Sequence, residues 1–196
     1  MSEMRKAVYA GSFDPPTNGH MWMFEQAAAM FDEVVVAVGV NPAKKPTFSV
    51  EDRVQMLTGM TSHINNVSVA SFENQYLVNY AASVGASFIV RGVRNVTDFV
   101  FEFGMQNINT DLNPNITTVV LMPPRELAEV SSSLIKGLVG PEGWERVVAK
   151  SVPPVVLRQL IGLKHQVWEH LQIAGAVGDK YEFWDSVVIS YMKPGR

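Results

Sequence analysis

Residues 34–40 read Val-Val-Val-Ala-Val-Gly-Val, a nearly unbroken β-branched run. A strand that is apolar on both sides has no solvent face, so it belongs in a parallel sheet covered by helices front and back. Shorter runs of the same kind stand at Ala7–Ala10, Val67–Ala70, Phe88–Val90 and Thr117–Leu121. Helical spacing fills the gaps between them. Met21, Phe24, Ala28 and Phe31 recur on one face. Ser49, with Asp52 three residues on, forms a capping-box-like start for a helix whose apolar side is Val54, Met56, Leu57 and Met60. Tyr76–Val84 reads as a helix closed by Gly85, and Thr97 as the cap of one running to about Leu112. Ser131–Ser133 opens a further helix. This alternation predicts an α/β fold built on a parallel sheet.

The 196 residues are 47% hydrophobic, which supports a core and argues against disorder. The length suits one domain with an appendage. A net charge of −3 leaves no electrostatic footprint for nucleic acid. The absence of cysteine excludes a disulfide scaffold, a thiolate zinc site and a cysteine nucleophile. Met-Ser-Glu-Met-Arg-Lys runs straight into the first strand without a signal-peptide core, and no apolar run approaches the roughly 20 residues of a membrane span. The expectation is a cytoplasmic protein without nucleic-acid or membrane partners. His63, His165 and His170 show no metal-ligand spacing, and no metal-binding residues are expected.

In parallel sheets of this type, ligands bind outside the carboxyl ends of the strands. The polar, Gly-rich and charged stretches 11–20, 41–46, 72–77, 91–95 and 123–133 all fall at such ends, which predicts a single site. The first, Ala10 to His20, reads Ala-Gly-Ser-Phe-Asp-Pro-Pro-Thr-Asn-Gly-His. Its two prolines fix the backbone path, and Gly11 and Gly19 allow a sharp turn or close approach to a ligand. The following helix directs free N–H groups at the turn, an arrangement that suits an anion, and His20 is placed to donate to a phosphate oxygen. Taken alone, the turn fits an anion site and a plain Gly/Pro turn equally well. Arg91 and Arg94 flank a glycine after a buried strand, where paired guanidinium groups suit oxyanions. By themselves, Lys44 and Lys45 read as a solvated pair, Glu102 as an exposed helix carboxylate and Ser131–Ser133 as a plain N-cap.

Thr17-Asn18-Gly19-His20 matches the T/H-x-G-H signature of nucleotidyltransferases, and the longer run from Gly11 to His20 resembles the opening of bacterial phosphopantetheine adenylyltransferases. Asn-Pro-Ala-Lys-Lys-Pro at 41–46, Arg-Gly-Val-Arg at 91–94 with Asp98-Phe99, and Ser131–Ser133 with Lys136 resemble further blocks of that family in the same order. The resemblance covers about Arg5 to Pro154. It implies a Rossmann-like nucleotidyltransferase fold, a five-stranded parallel sheet with helices on both faces, and a catalytic domain over 1–154.

The implied reaction is transfer of the adenylyl group of ATP to 4′-phosphopantetheine, giving 3′-dephospho-coenzyme A and pyrophosphate, with Mg2+ accompanying ATP. The resemblance assigns charge stabilisation to His20, Lys44 and Ser132. It places ATP against Ser12, Phe13, His20, Gly92, Val93, Arg94, Glu102, Leu127, Ala128, Glu129, Val130 and Ser131–Ser133. It places the phosphopantetheine substrate against Ser12, Lys44, Leu77 and Arg91. Family members form hexamers, so a homo-oligomer is expected.

Two features depart from the family. Leu127-Ala128-Glu129-Val130 replaces an aromatic-Ser-Phe-Ile run, which sets an acidic side chain beside the expected nucleotide. The chain also continues past 154 as an extension, 155–196. It begins with an amphipathic helix from Val155 to Leu171, carrying Leu157, Leu160, Ile161, Val167 and Trp168. A small-residue connector at 174–178 and an aromatic-rich segment from Tyr181 to Tyr191 follow, expected to pack on the body or on a neighbouring subunit. Two other readings compete: a sister nucleotidyltransferase acting on nicotinate or nicotinamide mononucleotide (or a cytidylyltransferase), and a non-catalytic nucleotide-binding protein. The Lys44 and Arg91 blocks favour the pantetheine branch.

Overall fold

A computed structural model describes residues 4–42 and 45–173, the last eight of these as backbone alone. Lys44 therefore lies outside the described residues. So do the connector at 174–178, the segment 181–191 and the side chains of Val167, Trp168 and Leu171.

Five strands, β1 (Lys6–Gly11), β2 (Glu33–Val40), β3 (Val67–Glu73), β4 (Phe88–Gly92) and β5 (Thr117–Leu121), form one sheet in the order β3-β2-β1-β4-β5. Every pairing is parallel. The helices that link them are α1 (Asn18–Met30), α2 (Val50–Thr61), α3 (Leu77–Ser83) and α4 (Val96–Leu112). After β5 come α5 (Arg125–Ala128), α6 (Ser132–Leu138), α7 (Trp144–Val148) and α8 (Pro154–Ile173).

The β-branched run of β2 explains the two-sided core. Val34, Val36 and Val38 join one buried cluster with Phe24 of α1, Met56 and Leu57 of α2, and Ile135 of α6. Val35 and Ala37 point the other way, into a cluster with Val78 and Ala81 of α3. Alternation along one strand thus feeds two cores, the arrangement expected of a sheet covered on both faces. The first turns of α8 join the larger cluster, with Val156 and Leu160 buried.

Three local expectations need correction. The inward face of α1 is Met23, Phe24 and Ala27, closed by Phe31, because Met21 and Ala28 are rotated to its flank. The cap of α4 is Asn95, not Thr97: the Asn95 side chain accepts from the Asp98 amide at 2.9 Å, leaving Thr97 within the first turn. At α2, Ser49 Oγ accepts from the Asp52 amide and donates to the Asp52 carboxylate, so the carboxylate binds the capping hydroxyl rather than the Ser49 amide. The short helices α5 and α7 carry no sequence signal long enough to be read as periodic.

Candidate active site

The strand order reverses between β1 and β4, and their pairing stops at Tyr9 and Val90, short of the carboxyl ends of both strands. A cleft of about 550 Å³ occupies this position. Its walls come from the β1–α1 turn, the β4–α4 corner and the α5–α6 segment.

The β1–α1 turn is fixed from within. Phe13 is 1% exposed and adopts φ 47°, the left-handed region that costs a non-glycine residue about 1–2 kcal/mol. Its ring folds back under the turn and meets Tyr9, His20 and Phe24 edge-on. Gly11 permits this, since a Cβ there would stand 3.1 Å from the Phe13 ring. Asp14 is buried, with its carboxylate accepting the amides of Thr47 and Phe48 (2.9 Å each at best) and the Lys136 ammonium at 3.1 Å. The Ser132 hydroxyl donates to the Pro15 carbonyl at 2.8 Å. The Asp14–Pro15 pair thereby ties the Thr47–Phe48 segment and α6 to the first turn.

His20 closes a capping box with Thr17. The Thr17 hydroxyl accepts from the His20 amide, and His20 Nδ1 accepts from the Thr17 amide at 3.0 Å. An amide N–H directed at Nδ1 requires a lone pair there, so the ring proton sits on Nε2. Burial, aided by the nearby Arg94 charge, pushes the imidazole down to about 4. His20 is thus a neutral imidazole with one N–H for the cleft. Burial likewise pushes the Tyr9 phenol up to about 12, against the opposing charges of Arg91 and Arg94.

The β4–α4 corner holds charge differently. Arg91 forks onto Glu102 (Nε to Oε2, 2.7 Å; Nη2 to Oε1) and donates to the Ala10 carbonyl at 2.9 Å. Arg94 pairs with Asp98 at 2.8 Å, and these bonds to Arg94 hold the Asp98 carboxyl below the usual range. Both guanidinium groups singled out for oxyanions therefore already carry a carboxylate partner, each from the first two turns of α4.

Ser12, His20, Arg91, Gly92, Arg94, Glu102, Leu127, Val130 and Ser131–Ser133 line the cleft together. Phe13 and Val93, 1% and 4% exposed, are not part of the lining. Leu77, Ala128 and Glu129 are not part of the lining; Glu129 is exposed. Of the serines, Ser131 caps α6 by accepting from the Leu134 amide, which leaves its own proton to donate. Sequence reasoning did not single out Tyr9, Thr17, Thr97, Asp98 and Phe101 as lining residues, nor Asp14 as a junction. Asp98 had a visible signal, its i+4 spacing from Arg94. Tyr9 had none, because a strand residue reads as core.

Among the described residues, no group of three or more histidine or acidic side chains is placed to hold a metal ion. The cleft carboxylates are both engaged by arginine. This donor set fits a cation that arrives on phosphate oxygens and water, not one held in a protein cage.

A parallel sheet with a ligand cleft at its switch point, a T-x-G-H turn and a serine-capped helix defines a nucleotidyltransferase-type protein. Residues 8–138 match the family model described as cytidylyltransferase-like. The phosphopantetheine adenylyltransferase of Chromobacterium violaceum is 56% identical over 160 residues, 82% of this chain and 98% of that protein. That of Neisseria meningitidis is 54% identical over 162 residues, 83% of this chain and 95% of its own. The chain belongs to the phosphopantetheine adenylyltransferases, within the cytidylyltransferase-like family. A Plasmodium falciparum nicotinic acid mononucleotide adenylyltransferase shares the fold, with a TM-score of 0.64 at 13% identity over 82% of this chain and 96% of its own.

Proposed function

We propose that the chain transfers the adenylyl group of ATP to 4′-phosphopantetheine, in the residue roles that follow. One oxygen of the 4′-phosphate attacks the α-phosphorus of ATP in line. The bond from that phosphorus to the β-phosphate bridging oxygen breaks, and pyrophosphate leaves with the electron pair. The attacking oxygen is already anionic, so no general base and no covalent enzyme intermediate are needed. Catalysis rests on positioning and on stabilising charge as it moves to the equatorial oxygens and the leaving pyrophosphate.

The observation that carries this reading is the fixed tautomer of His20. Its Nε2–H is a preorganised donor that stays neutral at working pH and does not need a proton from solvent. Lys44 supplies positive charge at the reacting phosphates, as the family resemblance implies. Ser131 and Ser133 donate to the β- and γ-phosphates, and Ser132 does so by exchanging Pro15 for the ligand. Helix α6 has only seven residues, so the hydroxyl donors outweigh its dipole. Ser12 lies between the two substrates. Gly92 and Arg94 face the nucleotide, Arg91 faces phosphopantetheine, and Glu102 orients Arg91. Mg2+ arriving with ATP would supply charge neutralisation on the triphosphate.

The oligomer is proposed on a second observation. Helix α4 buries Glu102 and Asn109 but exposes Phe99, Val100 and Phe103, each by more than half. An apolar helix face of this kind is the mark of an interface, and a homo-oligomer, by family resemblance a hexamer, would cover it. No described helix is long and apolar enough to cross a membrane. A cytoplasmic location and a boundary between catalytic domain and extension near 154 complete the proposal.

Pyrophosphate release from ATP in magnesium buffer, with 4′-phosphopantetheine, nicotinate mononucleotide or no acceptor, tests the reading. Release with phosphopantetheine alone is the expected result. Release with the mononucleotide would move the chain to the sister activity that its structural neighbour carries.

A further inference from the structure

Arg53 sits in the first turn of α2, yet it is 3% exposed. Among the described residues, no carboxylate lies within ion-pair distance of it. A buried cation without a counter-charge is costly, so its hydrogen bonds need to be unusually well directed. Arg53 Nε donates to the Ser49 carbonyl at 3.1 Å, and Nη1 donates to the Ser12 carbonyl at 2.9 Å. The first bond stays within the start of α2. The second reaches 41 residues back along the chain to the lining of the cleft.

The Ser12 carbonyl belongs to the peptide whose N–H is that of Phe13, the residue held in the left-handed region. Fixing the carbonyl from behind fixes the plane of that peptide. It also polarises the peptide, which strengthens its N–H as a donor. One residue on, Asp14 binds the amides of Thr47 and Phe48. The turn 12–14 and the segment 47–53 are thus joined by two contacts of opposite polarity, cation to carbonyl and carboxylate to N–H. One contact sets a distance; two set a distance and an orientation.

We propose that Arg53 is a positioning residue for adenylyl transfer, holding the Ser12–Phe13 peptide in the orientation that the reacting phosphates require. The role rests on the reading above, in which the first turn carries those phosphates. Different nitrogens of one planar guanidinium serve the two carbonyls, so the fork matters as much as the charge. A lysine keeps the charge but offers a single nitrogen, which reaches one carbonyl and not both.

The test is steady-state kinetics of wild type, Arg53→Lys and Arg53→Met with ATP and 4′-phosphopantetheine, alongside thermal melts. Arg53→Lys is expected to lose roughly 100-fold in kcat with each KM changed less than about threefold. Its melting temperature is expected to stay within about 4 °C of wild type. Arg53→Met leaves the Ser12 carbonyl without its guanidinium partner, while the Ser49 carbonyl keeps the backbone amide of position 53, and it is expected to melt lower as well as turn over slowly. Wild-type kcat in Arg53→Lys overturns the role. So does a loss of rate that follows the melting temperature and disappears when the assay is cooled. Wild-type turnover in the same assay separates failure of this role from failure of the reaction assignment.

Discussion

The two sides of the cleft handle polarity in opposite ways. On the β1–α1 side, the groups are locked and neutral or internally balanced: His20 is held as a neutral donor by Thr17, and Asp14 is matched by two amides and Lys136. On the β4–α4 side, Arg91 and Arg94 keep full charges, each facing a carboxylate of α4. On the proposed reading, the first side meets the transition state without rearrangement. The second presents guanidinium groups that those carboxylates already orient. A site that binds a highly charged substrate and must also release product benefits from both, because preorganised dipoles favour the transition state while paired charges temper ground-state binding.

Breaking the first side should have the largest effect. His20→Ala is expected to lower kcat by about 10³-fold, the scale of removing one oxyanion donor, with ATP affinity retained. Single-turnover kinetics beside ATP titration would check that split, and equal losses in both would remove His20 from the chemical step. Asp14→Ala is expected to cost about 2–4 kcal/mol of stability, because it strands Lys136 and two amides; a denaturant series measures it.

The pH dependence follows from His20. Its folded-state value of about 4 lies below the ordinary 6.5, so between these values the unfolded chain binds a proton that the folded chain refuses. Stability from this group is complete above pH 6.5 and is lost as pH falls toward 4. Melting curves over that window should be shallower in His20→Asn than in wild type.

The second side should respond more mildly. Glu102→Gln keeps the shape of the Arg91 contact but removes its charge. About a tenfold rise in KM for phosphopantetheine, with kcat less affected, is expected as Arg91 loses its orientation. Asp98→Asn breaks a pair that is partly open to solvent, so its effect on stability should be below about 1 kcal/mol and fade with added salt. An Asp98→Asn effect larger than that of Asp14→Ala would reverse the contrast between the two sides.

Much of this was legible in the chain. The run Val34–Val40 marked a two-sided parallel strand, and the structure divides its side chains between the two cores. Alternating patterns placed all five strands, and three of the five strand-end stretches, 11–20, 91–95 and 123–133, line the cleft, while no described residue of 41–46 or 72–77 does. The resemblance at Gly11–His20 and Arg91–Arg94 led to the family that the relatives show. Thr97 was mistaken for a cap because Asn and Thr both cap well and only backbone geometry chooses between them. Glu129, at the end of the short helix α5, stands exposed outside the lining.

What the sequence determined by itself was local and periodic: which segments are strands, which faces are apolar, and which loops carry donors. These depend on neighbours a few residues apart, where spacing alone fixes who meets whom. What only the tertiary structure decided was the pairing of charges and caps across distance. Arg91 with Glu102, Asp14 with Lys136, Ser132 with Pro15 and Arg53 with Ser12 join residues 11, 122, 117 and 41 positions apart. No periodicity encodes such contacts. They follow from the sheet order, which brings the ends of separate strands to one edge and leaves each buried polar group to find the partner within reach.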